Sequence, residues 1–202
     1  SNKKIQIKKS KIFFRENNSK KNVVSLSTIN QSILFYDPKS NNNKMITQGS
    51  IYNTKYNITL LRNIYKKDAT DIEIQFKKLN TIIKNIFSKD QNKENNYSGK
   101  TSINFSGTDI NSIYKIADNL ISLQSENSKL NNKIIEFKGE INTSPFYYNV
   151  DVNLENINVL KLIENLSKLK NLLDEKILLN KNFNGKIVFN INSLKEITFF
   201  DK

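Results

Sequence analysis

The 202-residue sequence predicts a mainly β protein, in which an elongated antiparallel sheet is combined with two amphipathic helices. Three observations predict this class. Apolar residues alternate at period two in many short segments, clusters of Asn, Lys, Ser or Gly separate those segments, and helical spacing occurs in only two stretches. A closed β-sandwich is the alternative, because its strands have the same alternation.

The clearest predicted strand covers residues 145–154, PFYYNVDVNL, in which every second residue is apolar. Successive side chains of a strand point to opposite faces, so this strand has one apolar face and one polar face. The same pattern recurs along the chain. It occurs at Ile5/Ile7, Ile12/Phe14, Tyr56/Ile58/Leu60, Ile72/Ile74/Phe76, Ile103/Phe105, Ile135/Phe137 and Ile187/Phe189/Ile191.

Helical spacing predicts one helix over residues 158–174 and a second helix that begins at Asp109 as its N-cap. Residues 38–44 and 88–100 lack periodicity and are predicted to be loops. The second loop divides the chain into a basic β-rich segment, 1–95, and a β-rich segment with both helices, 96–202, within one continuous sheet. The residues of the two apolar stripes are Val159, Leu162, Ile163, Leu166, Leu169 and Leu173, and Ile113, Ile116, Leu120 and Leu123.

Three glycines mark a loose internal repeat in the second half of the chain. Gly99, Gly139 and Gly185 each stand at or near the start of a strand group. Repeated strand groups with an occasional helix favour an elongated sheet over a closed globule.

The composition excludes most familiar hydrolase chemistry. The chain has no Cys, His or Trp, so thiolate nucleophiles, His-dependent triads and zincin sites are impossible. The closest carboxylates are Asp68, Asp71 and Glu73, and Asp174 with Glu175; strand alternation or a helix end places these on the solvated surface. The GKT of Gly99–Thr101 lacks the earlier Gly of a phosphate-binding loop, because position 94 is Glu. The sequence therefore predicts a protein that is not an enzyme and holds no metal or cofactor.

The net charge of +13 is confined to one half of the chain. Residues 1–100 contain 20 basic and 7 acidic side chains, whereas residues 101–202 contain 12 of each. Nearly all the basic residues are Lys, a usage that is typical of an AT-rich genome. The Lys clusters admit three interpretations, namely a solvated surface, attraction to anionic lipid headgroups, and nucleic-acid binding, which we do not favour because Arg is scarce. The clusters are Lys3/Lys4/Lys8/Lys9/Lys11, Lys20/Lys21, Lys66/Lys67 and Lys77/Lys78.

Two runs of the sequence resemble AsmA-type proteins. The first is KGEINTSPFYYNVDVNLENINVLKLIENL with the later NGKIVFNINSLKEI, and the second is the opening IQIKKSKIFFRENN with VVSLSTIN and MITQGSIYNTKYNITLLRN. The resemblance implies a long curved sheet with an apolar groove, a periplasmic location, and a role in phospholipid transfer between membranes or in outer-membrane assembly. It also implies tethering to the inner membrane, through a segment that is not present in this sequence.

Alternation and the resemblance together predict a groove that contacts phospholipid acyl chains. The alternative is a β-sandwich binding or adhesion module with no lipid groove. Two helices are too few to cover about ten strands, which favours an open apolar face. Phospholipid or a membrane surface is the expected partner, with no nucleic acid and with envelope-protein partners unknown. The predicted lining residues are Phe146, Tyr148, Val150, Val152, Leu154, Ile58, Leu60, Ile72, Ile74, Phe76, Ile103, Phe105, Ile187 and Phe189.

Overall fold

A computed structural model describes residues 3–15, 23–51, 54–65, 69–90, 95–105, 107–155 and 184–192. The prediction of a mainly β protein is confirmed, because the described strands form one large, mostly antiparallel sheet. The thirteen strands are β1 (Ile5–Arg15), β2 (Val23–Asp37), β3 (Asn42–Ile51), β4 (Thr54–Asn63), β5 (Ala69–Phe76), β6 (Thr81–Lys89), β7 (Asn96–Phe105), β8 (Thr108–Ala117), β9 (Leu120–Ser125), β10 (Ser128–Leu130), β11 (Lys133–Thr143), β12 (Phe146–Glu155) and β13 (Asn184–Asn192).

The sheet is a meander in which each strand pairs with the next one in sequence, except that β9 and β10 do not pair with each other. β9 and β10 together occupy one position, since both pair with β8 on one side and with β11 on the other. The last pair is an exception, because β12 and β13 are parallel. β6 and β7 pair over nine residues, so the sheet continues across the loop at which the sequence divides into two segments.

The helix predicted to begin at Asp109 is wrong. Residues Thr108–Ala117 and Leu120–Ser125 are β8 and β9, which pair as a hairpin. Its helical spacing was a coincidence: Ile116 and Leu123 lie on one face of this hairpin, while Ile113 and Leu120 lie on the other face. Within the described ranges the only helical element is a single 3₁₀ turn, Lys77–Leu79. The other predicted helix, 158–174, lies outside the described residues.

The loop predicted at 88–100 is shorter than expected. β6 extends to Lys89 and β7 begins at Asn96, so most of that polar stretch forms paired strands. Gly99, Lys100 and Thr101 lie within β7 and not at the start of a helix. The polar composition misled the prediction because every second residue, such as Ser98 and Lys100, lies on an exposed face of the sheet, where polar side chains are tolerated.

Asparagine and aspartate provide the positive backbone angles that the turns need. Asn131 and Asn132, with φ of 48° and 64°, form the two-residue turn between β10 and β11. Asp37 stabilises the turn after β2 by accepting hydrogen bonds from the Ser40 hydroxyl and the Lys39 N–H. Both bonds lower the pKa of its carboxyl, and the bond from Ser40 has the larger effect. The abundant Asn therefore has a structural use in this sheet.

A β-bulge in β1 and β2 keeps their apolar side chains on one face, although the alternation of apolar residues shifts by one position along the sequence. Ile7 and Ile12 are of opposite parity, yet both lie on one face, because Lys9 adopts a φ of 49° and is skipped in the pairing with β2. Asn30 is skipped at the same level of β2. An extra residue in each strand thus keeps the same face apolar along the whole edge.

The hydrophobic core of the described residues is small. Leu130, Ile135 and Leu154, from β10, β11 and β12, form its buried cluster, and Phe137 and Val152 pack against it. A closed sandwich would bury two facing sheets. The described strands belong to a single sheet instead.

Candidate functional site: the apolar face of the sheet

All fourteen residues predicted to line a groove lie on one face of the sheet. Residues paired directly across neighbouring strands share a face, and the pairings carry this face from Ile58 through Ile74, Ile83 and Ile103 to β8. From β8 it continues through β9, β10, β11 and β12 to Ile187 and Phe189 in β13. We call this the apolar face and the opposite side the polar face.

The apolar face is nearly free of charge. In the described strands its charged residues are Arg62, Lys89 and Lys133, and each of these lies at or next to a strand end. The centre of the face therefore carries only apolar and neutral polar side chains. Such a surface suits an uncharged ligand, because no ionic group must be desolvated when it is covered.

Every buried side chain among the described residues lies on the apolar face. This holds for apolar residues such as Leu154, 2% exposed, and for polar residues such as Ser128, 0% exposed. Four of the buried hydroxyl residues pair with each other, Ser32 with Thr47 at 2.8 Å and Ser27 with Tyr56 at 2.8 Å. The full set is Tyr56, Leu130, Ile135, Leu154, Ser27, Ser32, Thr47, Thr108 and Ser128.

An isoleucine ladder crosses the middle of the apolar face. Five isoleucines on β4 to β8 are direct cross-strand partners in one row. At an interstrand spacing of about 4.8 Å, the row is about 19 Å long. β-Branched side chains stacked in this way form a continuous hydrocarbon strip. Its members are Ile58, Ile74, Ile83, Ile103 and Ile110.

Tyrosines cover glycines on the apolar face, a feature that the sequence analysis missed. Tyr56 lies over Gly49, where an added Cβ would come within 2.5 Å of the Tyr56 hydroxyl oxygen. Tyr114 lies over Gly99 in the same way, and its hydroxyl reaches Asn85 two strands away at 3.0 Å. Each glycine leaves room for an aromatic ring to lie flat along the sheet. The glycine repeat in the sequence was the available signal.

The polar face carries most of the charges of the strands. Two ion pairs lie on this side: Lys84 with Glu73 at 3.5 Å, and Lys100 with Glu126 at 2.9 Å. Asp71 and Glu73 lie on this face as predicted from the sequence, whereas Asp68, Asp174 and Glu175 are outside the described residues. Exposed pairs of this kind contribute little to stability.

A depression of about 640 Å³ runs along β6 to β9 and is lined mostly by residues of the polar face. Lys100 and Lys115 project among Ser and Gln side chains there, with Ile86 and Ile113 between them. A mixed, charged lining does not match one ligand class, so we place the candidate site on the apolar face.

The two end strands leave the apolar face open at its margins. Ile5 and Ile7 on β1 are 61% and 49% exposed, and Ile187 and Phe189 on β13 are 49% and 45% exposed. Interior members of the same face are half-buried. The face therefore continues to both ends of the row of strands without a charged barrier along its centre.

Within the described ranges no helix is long and apolar enough to cross a membrane. The same residues bring together no group of three His, Cys, Asp or Glu side chains that could hold a metal ion. Comparison with known proteins gives no match, since no family model, curated protein or solved structure aligns with this chain.

Proposed function

We propose that this chain is a non-enzymatic, AsmA-like segment whose apolar face contacts the acyl chains of phospholipids. The observation that carries the proposal is the exclusion of charge from a continuous apolar face that thirteen strands share. Acyl chains gain about 0.8 kcal/mol for each methylene removed from water on such a surface. The function would be lipid transfer between membranes or support of outer-membrane assembly.

An elongated sheet that curves toward its apolar face is the shape that we propose. The support is the one-sided burial: all the buried side chains named above lie on this face, although the described residues supply no second layer over it. Curvature brings the side chains of the inner face together and spreads those of the outer face. A groove would result, with the isoleucine ladder along its floor.

The cellular setting follows from the same proposal. An AsmA-like segment would act in the periplasm, held to the inner membrane through a segment outside this sequence. The alternation of apolar and polar residues in residues 145–154 supports the likeness, together with the strand layout of the opening segment.

Photocrosslinking at adjacent residues tests the acyl contact. Ile103 and Ser102 are neighbours on β7 that lie on opposite faces of the sheet. A photoreactive phenylalanine analogue at position 103 should form phospholipid adducts, detected by mass spectrometry of the purified chain. The same analogue at position 102 should form few. Adducts in equal amounts at both positions, or none at position 103 in a folded chain, would contradict an acyl-binding face.

Strand β1 is the proposed point of contact with an anionic bilayer. Its exposed apolar side chains alternate with lysines, and the cluster of five lysines in residues 3–11 includes no acidic residue. Lysines near an anionic surface contribute about 1 kcal/mol each, and exposed apolar side chains insert at the headgroup boundary. Lipid would then enter the apolar face from its β1 end.

Vesicle co-sedimentation with two sets of lysine variants tests this contact. Replacing Lys4, Lys8 and Lys11 by Gln should weaken binding to phosphatidylglycerol vesicles about 100-fold, at about 1 kcal/mol for each lysine. The matched set Lys115, Lys129 and Lys138 lies in the neutral half, and its replacement by Gln should have a small effect. Equal losses in the two sets would mean that total charge, and not β1, determines binding.

A further inference from the structure

A band of neutral polar side chains interrupts the apolar face at β6 to β9. Asn85, Thr101, Ser112 and Ser125 follow one another in a single row across these four strands. The isoleucine ladder borders the band on one side. Charged side chains are absent from the row within this part of the chain, so the band differs from the strand ends, where Lys89 lies.

Two hydroxyl groups fix the orientation of the Asn85 amide. Thr101 Oγ1 donates a hydrogen bond to Asn85 Oδ1 at 3.1 Å, and Tyr114 Oη donates to the same oxygen at 3.0 Å. Gly99 makes the second bond possible, because the Tyr114 ring crosses it to reach β6. With Oδ1 held by two donors, the amide cannot rotate without breaking both bonds.

Several hydrogen-bond donors of the band have no partner among the described residues. The two N–H groups of Asn85 make no hydrogen bond to any described residue, and the same is true of the Ser112 hydroxyl. Ser125 Oγ accepts a bond from the Phe137 N–H at 3.0 Å, so its own proton is free to donate. The band thus offers several neutral donors along about 14 Å of the apolar face.

We infer that this band binds the ester carbonyl groups of an acyl lipid whose chains lie along the isoleucine ladder. The inference rests on the proposed function. An ester carbonyl only accepts hydrogen bonds, which suits a row of donors, whereas a phosphate would call for a cation that this row lacks. A bound alkyl chain without carbonyls would cover the donors and leave them unpaired, at a cost in affinity.

The test compares ester-linked with ether-linked lipids that share headgroup and chain length. Dihexanoyl and dihexyl phosphatidylglycerol are short enough to be used as monomers, and their affinities for the full chain follow from displacement of diphenylhexatriene fluorescence. Two hydrogen bonds to the carbonyls should give the ester lipid about a tenfold advantage. The ether lipid should still bind through its chains.

Two variants of the band and one control sharpen the test. Asn85→Asp keeps the acceptor for Thr101 and Tyr114 but removes the N–H donors, and Ser112→Ala removes one donor without adding charge. Both should reduce the ratio of ester to ether affinity, whereas Asn149→Asp, exposed on the polar face, should leave it unchanged. Equal affinity for the two lipids, or an unchanged ratio in both band variants, would overturn the inference and leave acyl binding intact. Failure to bind either lipid would overturn both the inference and the proposed function.

Discussion

The two faces of the sheet differ in charge as well as in apolar content. The polar face also carries large exposed apolar side chains, among them Phe13, Ile86, Ile134 and Tyr147. What it has in addition is nearly every charged residue of the described strands, whereas the apolar face has charges only near strand ends. Scattered apolar side chains in water cost little, but a charge in a desolvated site costs much. Exclusion of charge therefore marks the face that would cost less to cover.

The largest loss of stability should come from a glycine in a strand, where its missing side chain leaves room for close packing on the apolar face. In Gly49→Ala the new Cβ would clash with the Thr28 carbonyl oxygen, which is backbone and cannot move aside. We expect a loss of about 3 kcal/mol in the free energy of unfolding, measured by urea denaturation. Gly107→Asn is the control, since Gly107 lies in a turn with φ of 79°, where Asn is tolerated, and its nearest neighbour is 3.5 Å away. Similar losses in both variants would show that close packing over Gly49 is not important.

The next difference concerns two isoleucines of the same strand. Ile83 lies in the ladder of the apolar face, whereas Ile86 lies on the polar face and is 53% exposed. We expect Ile83→Ala to lower the free energy of unfolding by about 2 kcal/mol, because it removes packing against Ile74 and Ile103. Ile86→Ala should cost about 0.5 kcal/mol. Equal costs would mean that packing between neighbouring isoleucines of the ladder adds nothing to stability.

Much of this fold could be predicted from alternation alone. Segments such as residues 145–154 and 187–191 lie in strands, and their apolar residues share one face over the whole sheet. The reason is that antiparallel pairing carries a face from strand to strand once the register of each hairpin is set. The fourteen predicted lining residues came together for this reason.

The rest of the fold could not be predicted, because it depends on features that the spacing of apolar residues does not reveal. The β8–β9 hairpin was mistaken for a helix because Ile113 and Leu120, on the polar face, completed a helical spacing. Its turn at Asp118, where φ is 50°, was the signal against a helix. The parallel pairing of β12 with β13 and the Tyr114 hydroxyl contact with Asn85 both depend on tertiary placement. Neither leaves a local pattern in the sequence.

The smallest difference should come from the ion pairs of the polar face. Lys100 Nζ donates to both carboxylate oxygens of Glu126, at 3.0 and 2.9 Å, but the two side chains are 65% and 43% exposed. Water and salt screen such a pair, so we expect a coupling energy of about 0.5 kcal/mol that falls further in 1 M salt. A double-mutant cycle with Lys100→Met and Glu126→Gln measures it, with Lys115→Met as a control for the loss of one positive charge. A coupling above about 2 kcal/mol would be typical of a desolvated pair. The polar face at β7 to β9 would then be covered by a partner, and the absence of charge would no longer distinguish a face that binds a ligand from one that faces water.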